Sequence, residues 1–308
     1  MITYSIGLKN KFRGITVREG MLFEGPAGWA EWSPFLDYDD ATCVSWLQAA
    51  REAAEYGWPA PVRDRIPVNC TVPAVGPEKA AELVRASGCG TAKVKVAEPG
   101  QTLADDLARV EAVRDAIGTG RVRIDANGAW SVDQAVYNLK QLQRFDLEYV
   151  EQPSATVEEL AEVRRRTDVL VAADESIRRT EDPLRVRELE AADIAVLKVQ
   201  PIGGVRACLE IAERIGLPVV VSSALETSVG IAAGVALAAA LPELPYACGL
   251  ATVSMFTREV VADPLLPVDG YLPVKRVTPD PQLFDAARAD ADRTKVWEER
   301  MSRVRSAG

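Results

Sequence analysis

Two rhythms divide the chain. Residues 1 to about 36 alternate apolar and polar positions with glycines at the turns, as in Ile15-Thr-Val-Arg-Glu-Gly-Met-Leu-Phe-Glu-Gly25. Strand side chains point alternately to opposite faces, so this period of two predicts β-hairpins with one buried face. The stretch closes on Gly25-Pro-Ala-Gly-Trp-Ala-Glu-Trp-Ser-Pro-Phe35. This loop reads either as a mobile cover over a site or as a turn with its tryptophans in the core. Over residues 39–56 the apolar positions Val44, Leu47, Ala50 and Ala54 recur at helical spacing.

From about Ile66 the rhythm changes. Short β-branched runs alternate with amphipathic stretches, the pattern of βα units around a parallel sheet. Strands are predicted at 68–72, 92–96, 122–125, 149–151, 169–173, 194–199, 219–222 and 246–249. Helices are predicted at 77–86, 102–117, 132–143, 157–165, 183–189, 205–215 and 229–241. At about 25 residues per unit, eight such units suit a (β/α) barrel. A doubly wound sheet is the alternative, but the chain carries no glycine-rich phosphate loop. After Gly249 a proline-rich segment at 263–274 reads as chain leaving the barrel to pack on the N-terminal region, followed by a charged tail. The expected division is a capping domain over 1–65, a barrel over 66–250 and a returning segment over 251–308.

Composition removes several chemistries. The 36 basic and 45 acidic residues leave a net charge of −9, which disfavours nucleic acid or an anionic membrane as partner. The chain has no histidine, so histidine bases, Ser-His-Asp triads and histidine metal sites are excluded. Five cysteines, Cys43, Cys70, Cys89, Cys208 and Cys248, form no paired motif and read as reduced core residues of a cytoplasmic protein. The start of the chain shows no apolar signal segment, and the uncharged run at 227–242 is too short to span a membrane. The expected partner is a small carboxylate; the oligomeric state stays open, a monomer being compatible.

Five successive predicted strands end in ionisable residues: Lys93 and Lys95, then Asp125, Glu151, Asp174 and Lys198. Lys93 and Lys95 share a strand face, where two ammonium groups repel and depress the pKa of at least one. Taken alone, the pair also reads as two solvated lysines, Asp125-Ala-Asn-Gly as a turn and Glu151-Gln-Pro as a strand stop. In a parallel barrel, however, all strand C-termini open on one face, so these groups converge. Three carboxylates there repel unless a cation sits among them, and an all-oxygen set suits Mg²⁺, with Mn²⁺ as the substitute. A lysine beside such an ion is suited to removing a proton α to a carboxylate.

The set Lys93-Val-Lys95, Asp125-Ala-Asn127, Glu151-Gln-Pro153, Asp174-Glu-Ser176 and Lys198-Val-Gln200 resembles the enolase superfamily in its lysine-based muconate-lactonizing subgroup. Further support lies in Gly25-Pro-Ala-Gly-Trp-Ala-Glu-Trp-Ser-Pro34, Ser222-Ser-Ala-Leu-Glu-Thr-Ser228 and Ala247-Cys-Gly-Leu-Ala-Thr252. The resemblance implies an α/β fold, a modified TIM barrel of (β/α)₇β form with an α+β capping domain from both termini. It implies that Asp125, Glu151 and Asp174 bind Mg²⁺, that Lys95 is the base, and that Lys198 stabilises the intermediate from the opposite face. Lys93 would tune Lys95, Asn127 and Glu175 would position neighbouring groups, and Ser222 and Ser223 would meet the far end of the substrate. The implied reaction is the menaquinone-pathway syn dehydration of 2-succinyl-6-hydroxy-2,4-cyclohexadiene-1-carboxylate to o-succinylbenzoate through a metal-stabilised enediolate. Residues 25–35 offer no arginine for the substrate's carboxylates, so that contact comes from elsewhere or through water. The alternatives are racemisation of N-succinylamino acids with Lys95 and Lys198 as opposed bases, a non-catalytic ligand-binding barrel, and a Schiff-base aldolase using Lys198. Dipeptide epimerisation is disfavoured because Cys248-Gly-Leu-Ala-Thr252 contains no acid.

Overall fold

The computed structural model describes residues 1–178 and 183–307. Strands Ile2–Phe12, Ile15–Gly25 and Gly28–Trp32 form an antiparallel sheet in chain order. The alternation seen in the sequence buries Tyr4, Ile6 and Leu8 on one face, where the first strand meets the C-terminal helices, while helix Thr42–Glu55 packs on the second and third strands. The tryptophan stretch divides between its two readings: Trp32 is fully buried and meets Trp297 edge-on at 5.5 Å between ring centroids, Trp29 is only partly buried, and Phe35 lines the cavity described below. The charged tail is in fact the helix Ala291–Ala307. Its apolar stripe, Trp297, Met301 and Val304, follows the helical repeat closely enough to bury one face while the charges stay in water.

The barrel strands are Cys70–Val72, Thr91–Lys95, Arg121–Asp125, Leu147–Glu151, Val171–Ala173, Ile194–Leu197 and Val219–Val221, hydrogen-bonded in sequence order. The eighth predicted strand is reduced to two parallel bridges, Ser222 with Gly249 and Cys248 with Val68, and these close the ring. The first strand begins at Cys70 rather than 68, because Arg65–Pro67 pairs antiparallel with Tyr271–Pro273. The helix expected at 183–189 is the single turn Arg185–Glu188. Two further turns of helix, Glu175–Arg178 and Val199–Ile202, follow the fifth and sixth strands.

Helix Ser228–Ala240 is buried on nearly every side, unlike a normal outer barrel helix. The cap's third strand covers the face that water would otherwise reach. Its Ala- and Gly-rich sequence lets neighbours approach from all directions. Among the described residues, no helix is long and apolar enough to cross a membrane. All five cysteines are free and buried.

Candidate active site

Parallel register builds the site. Lys95 pairs with Asp125 and Asp125 with Glu151, so these three strand ends lie at one level of the barrel. Asp174 and Lys198 sit just beyond the fifth and sixth strands. The chain leaves several of these ends through left-handed residues, Ala97, Asn127 and Gln152 at φ of 59°, 47° and 41°. Non-glycine residues hold that conformation only where surrounding contacts enforce it. At Gln152 the enforcing contacts are visible, since its side-chain oxygen accepts the N–H groups of Asp174 and Ser176 at 3.0 and 3.1 Å.

The charged groups form interlocked pairs. Lys93 Nζ donates to both Glu151 oxygens at 2.9 and 2.8 Å and lies 3.2 Å from Asp125. Lys95 Nζ donates to Asp125 at 2.5 Å and to Asn127 Oδ1 at 2.8 Å. Lys198 Nζ donates to Asp174 at 2.6 Å, and Arg178 Nε meets the other oxygen of Asp174 at 2.8 Å. Arg178 also reaches Glu175 at 2.5 Å and the Tyr38 hydroxyl at 3.2 Å.

The expected depression of a lysine pKa does not hold for Lys93. Burial pushes it down, but the Glu151 and Asp125 carboxylates more than reverse this, and its pKa lies above the ordinary lysine value. Lys93 lies within 3.2 Å of both carboxylates, and their attraction favours its charged form. Burial raises Asp125 and Asp174, yet Lys95 and Lys93 around the first, and Arg178 and Lys198 around the second, hold both below the ordinary range. Glu151 goes the other way: burial and the charge of Asp125 push it up to about 7.

A cavity of about 280 Å³ opens over this cluster. Lys93, Lys95, Lys198, Asn127, Glu175, Ser222 and Ser223 line it, so the structure brings together every lysine and polar side chain singled out in the sequence. Asp125, Glu151 and Asp174 lie behind that wall, buried and covered by the basic groups. Among the described residues, no three His, Cys, Asp or Glu side chains are arranged as a ready metal cage.

Four contributors went unread in the sequence. Arg178 follows Asp174 by four residues, a helical spacing that would have paired them had the short helix been foreseen. Phe12 and Arg13, at the tip of the first hairpin, reach the cavity from the cap. The Phe12 ring lies 5.4 Å from Lys95 Nζ, and Arg13 stacks on Phe35 at 4.0 Å while pairing with Asp37. This hairpin tip and Phe35 form one wall of the cavity, which also carries the cations Lys11 and Arg13.

Two family models match the chain. Residues 77–279 match the enolase C-terminal domain-like family and residues 3–54 the enolase N-terminal domain-like family. The o-succinylbenzoate synthase of Thermobifida fusca is 65% identical, covering 99% of this chain and 95% of that protein. Those of Mycolicibacterium smegmatis and Mycobacterium tuberculosis are 54% and 56% identical, each over 96% of this chain and over 92% and 91% of their own lengths. Among solved structures, the muconate lactonizing enzyme of Pseudomonas putida superposes with a TM-score of 0.78 at 20% identity, over 94% of this chain and 98% of that one. The L-Ala-D/L-Glu epimerase of Bacillus subtilis gives 0.78 at 23% identity, over 90% and 95%. These likenesses carry the fold, the (β/α)₇β barrel with its cap, while the much closer relatives carry the family. The chain belongs to the enolase superfamily and, within it, to the o-succinylbenzoate synthase family.

Proposed function

We propose that this protein dehydrates 2-succinyl-6-hydroxy-2,4-cyclohexadiene-1-carboxylate to o-succinylbenzoate, using Lys95 as base and acid and Lys198 as the opposing cation. The observation that carries the reading is the joint placement of Lys95 and Lys198 on the wall of one small cavity above three buried carboxylates. Near-full-length relatives bearing the name of that synthase support it. Lys95 removes the proton α to the ring carboxylate, and the same ammonium then protonates the hydroxyl leaving from that face. One C–H and one C–O bond break, the ring gains its last double bond, and water departs. Lys198 faces the electron-rich ring and stabilises its charge electrostatically. Lys93 holds Glu151 and Asp125 in place behind Lys95, and Asn127 fixes the Lys95 ammonium. Ser222 and Ser223 face the succinyl arm, with Arg13 and Lys11 at the mouth.

The donor set fits a divalent cation. Asp125, Glu151 and Asp174 are all-oxygen ligands of the kind Mg²⁺ prefers, with Mn²⁺ acceptable. Burial first, and then the charge of Asp125, raise Glu151 to about 7, a cost that a cation beside it would offset, and Glu175 Oε2 is buried without a hydrogen-bond partner. When bound, the ion would offset negative charge developing on the substrate carboxylate. Lys93, Lys95, Lys198 and Arg178 already balance Asp125, Glu151, Asp174 and Glu175. A bound dication would match the two charges of a dicarboxylate substrate and so leave that balance intact.

A paired assay tests the reading. One arm follows dehydration by ultraviolet absorbance, the other loss of optical rotation of an N-succinylamino acid, each with Mg²⁺ and after EDTA treatment. Fast, Mg²⁺-restorable dehydration is expected. Racemisation alone would overturn the substrate assignment, and full activity after EDTA would overturn the metal assignment.

A further inference from the structure

Three stretches of sequence have no place in the chemistry above, yet they meet in one buried polar junction between cap and barrel. They are the Trp29–Pro34 stretch, Gln200 after Lys198, and the turn from Ala224 to Ser228. Glu31 accepts hydrogen bonds from Tyr4 and Ser33 at 2.7 Å each, from Thr227 Oγ1 at 2.5 Å, and from the Thr227 and Gly230 amides at 3.1 Å each. Gln200 exchanges bonds with Ser33, accepting its N–H at 3.1 Å and donating to its hydroxyl at 3.2 Å, and donates to Glu226 at 3.4 Å. Glu226 in turn accepts the Ala224 amide at 2.7 Å. A side chain at position 230 would collide with Glu226 Cβ at 2.5 Å, so Gly230 is what lets the junction close.

Arg18 crosses this junction. It comes from the cap's second strand, is 2% exposed, and donates through Nε to the Leu225 carbonyl at 2.9 Å and through Nη2 to the Ala224 carbonyl at 3.3 Å. It also donates to the Ser33 carbonyl and stacks on Phe35 at 4.2 Å. Leu225 has a φ of 64°, a left-handed conformation that a branched apolar residue adopts only when held. Ala224, Leu225 and Phe35 all line the cavity, so the contacts of Arg18 with these three bear on its wall.

We propose that Arg18, supported by Gln200 and Glu226, is a positioning residue of the reaction. It holds the Ser222–Leu225 turn in its left-handed form and so makes the shape of the substrate wall depend on the seating of the cap. The inference rests on reading the cavity as the substrate pocket. A guanidinium is suited to the task because its fixed fork can hold two successive carbonyls at once.

The test uses the full-length, Mg²⁺-supplied enzyme and compares Arg18→Gln in the native and the Leu225→Gly backgrounds. Glycine adopts a positive φ without strain, so the turn should no longer need its clamp. Arg18→Gln alone should raise KM by about tenfold with a smaller change in kcat, as for loss of a charged hydrogen bond that shapes a binding wall. In the Leu225→Gly background the same substitution should raise KM by less than about threefold. Equal effects in both backgrounds would overturn the clamp and leave only general structural damage. Amide hydrogen exchange supplies a readout that needs no turnover. Residues 222–227 should exchange at least about tenfold faster in Arg18→Gln, and unchanged exchange there would also refute the proposal. Should Arg18→Gln fail to fold, Arg18→Lys replaces it. A lysine cannot reproduce the fork, so an intermediate KM supports the inference and a native KM sinks it. Absence of dehydration by the wild type would count against the proposed reaction, while the exchange result would still decide the clamp.

Discussion

Two buried polar clusters sit about the same cavity and are built on opposite plans. At the barrel mouth, four basic and four acidic side chains neutralise one another by direct pairing. In the junction behind the seventh strand, Glu31 and Glu226 share the nearby charge of Arg18, and they and the neighbouring Glu259 rely on hydroxyls and backbone amides. The difference shows only in part in protonation. Asp125 and Asp174 are held below the ordinary carboxylate range by their cations, whereas burial pushes Glu226 and Glu259, and also Glu151 in the first cluster, up to about 7. Paired charge equips the first cluster to exchange partners with an incoming cation and dicarboxylate. The second has no spare charge to offer and serves geometry.

Substitutions should separate the two clusters by kind of effect as well as size. Lys95→Ala should cost about a thousandfold or more in kcat, the scale of a lost general acid–base group, while leaving the melting temperature nearly unchanged. Residual turnover near the native rate would show that the base lies elsewhere. Glu31→Ala should do the reverse, lowering stability by about 3 kcal/mol in denaturant titration because buried donors lose their acceptor. A loss below about 1 kcal/mol would mean that water or a rearrangement replaces the carboxylate.

Glu226→Gln sharpens the contrast through pH. Burial first, and then the charge of Glu31, raise the folded-state pKa from 4.5 to about 7, against a smaller opposing pull from Arg18. Below the unfolded-state value both states carry the proton, so the glutamate costs nothing by ionisation. As pH rises from about 4.5 to 7 the unfolded chain releases its proton first, and stability falls until the folded group has also ionised. The glutamine variant avoids that loss. It should match the wild type near pH 4.5 and exceed it above pH 7 by up to about 3 kcal/mol, read as a pH-dependent melting difference. A constant difference across that range would place the titrating group elsewhere.

The two clusters also differ in how far they could be read from sequence. Lys93, Lys95, Asp125, Glu151, Asp174 and Lys198 fall at successive strand ends, and a parallel barrel sends all such ends to one face. Local pattern thus located the mouth before any contact was known. Arg18 lies in an alternating strand, where nothing distinguishes it from a solvated arginine, and its partners Ala224 and Leu225 are more than two hundred residues away. The tail at 291–307 conceals its helix for a related reason: its charges outnumber its apolar residues, and only the stripe of Trp297, Met301 and Val304 betrays the buried face.

By itself the sequence determined the alternating βα order, the single face on which the ionisable strand ends converge, and an oxygen-only chemistry without histidine. Each of these follows from local periodicity or residue type, which need no knowledge of distant contacts. Only the tertiary structure decided that Lys93 would be held charged, that the first hairpin would wall the cavity, and that Arg18 would clamp a left-handed leucine across the junction. Those outcomes depend on which groups are brought together out of water. Coulombic and desolvation energies are set by separation in space and by burial, quantities that spacing along the chain does not contain.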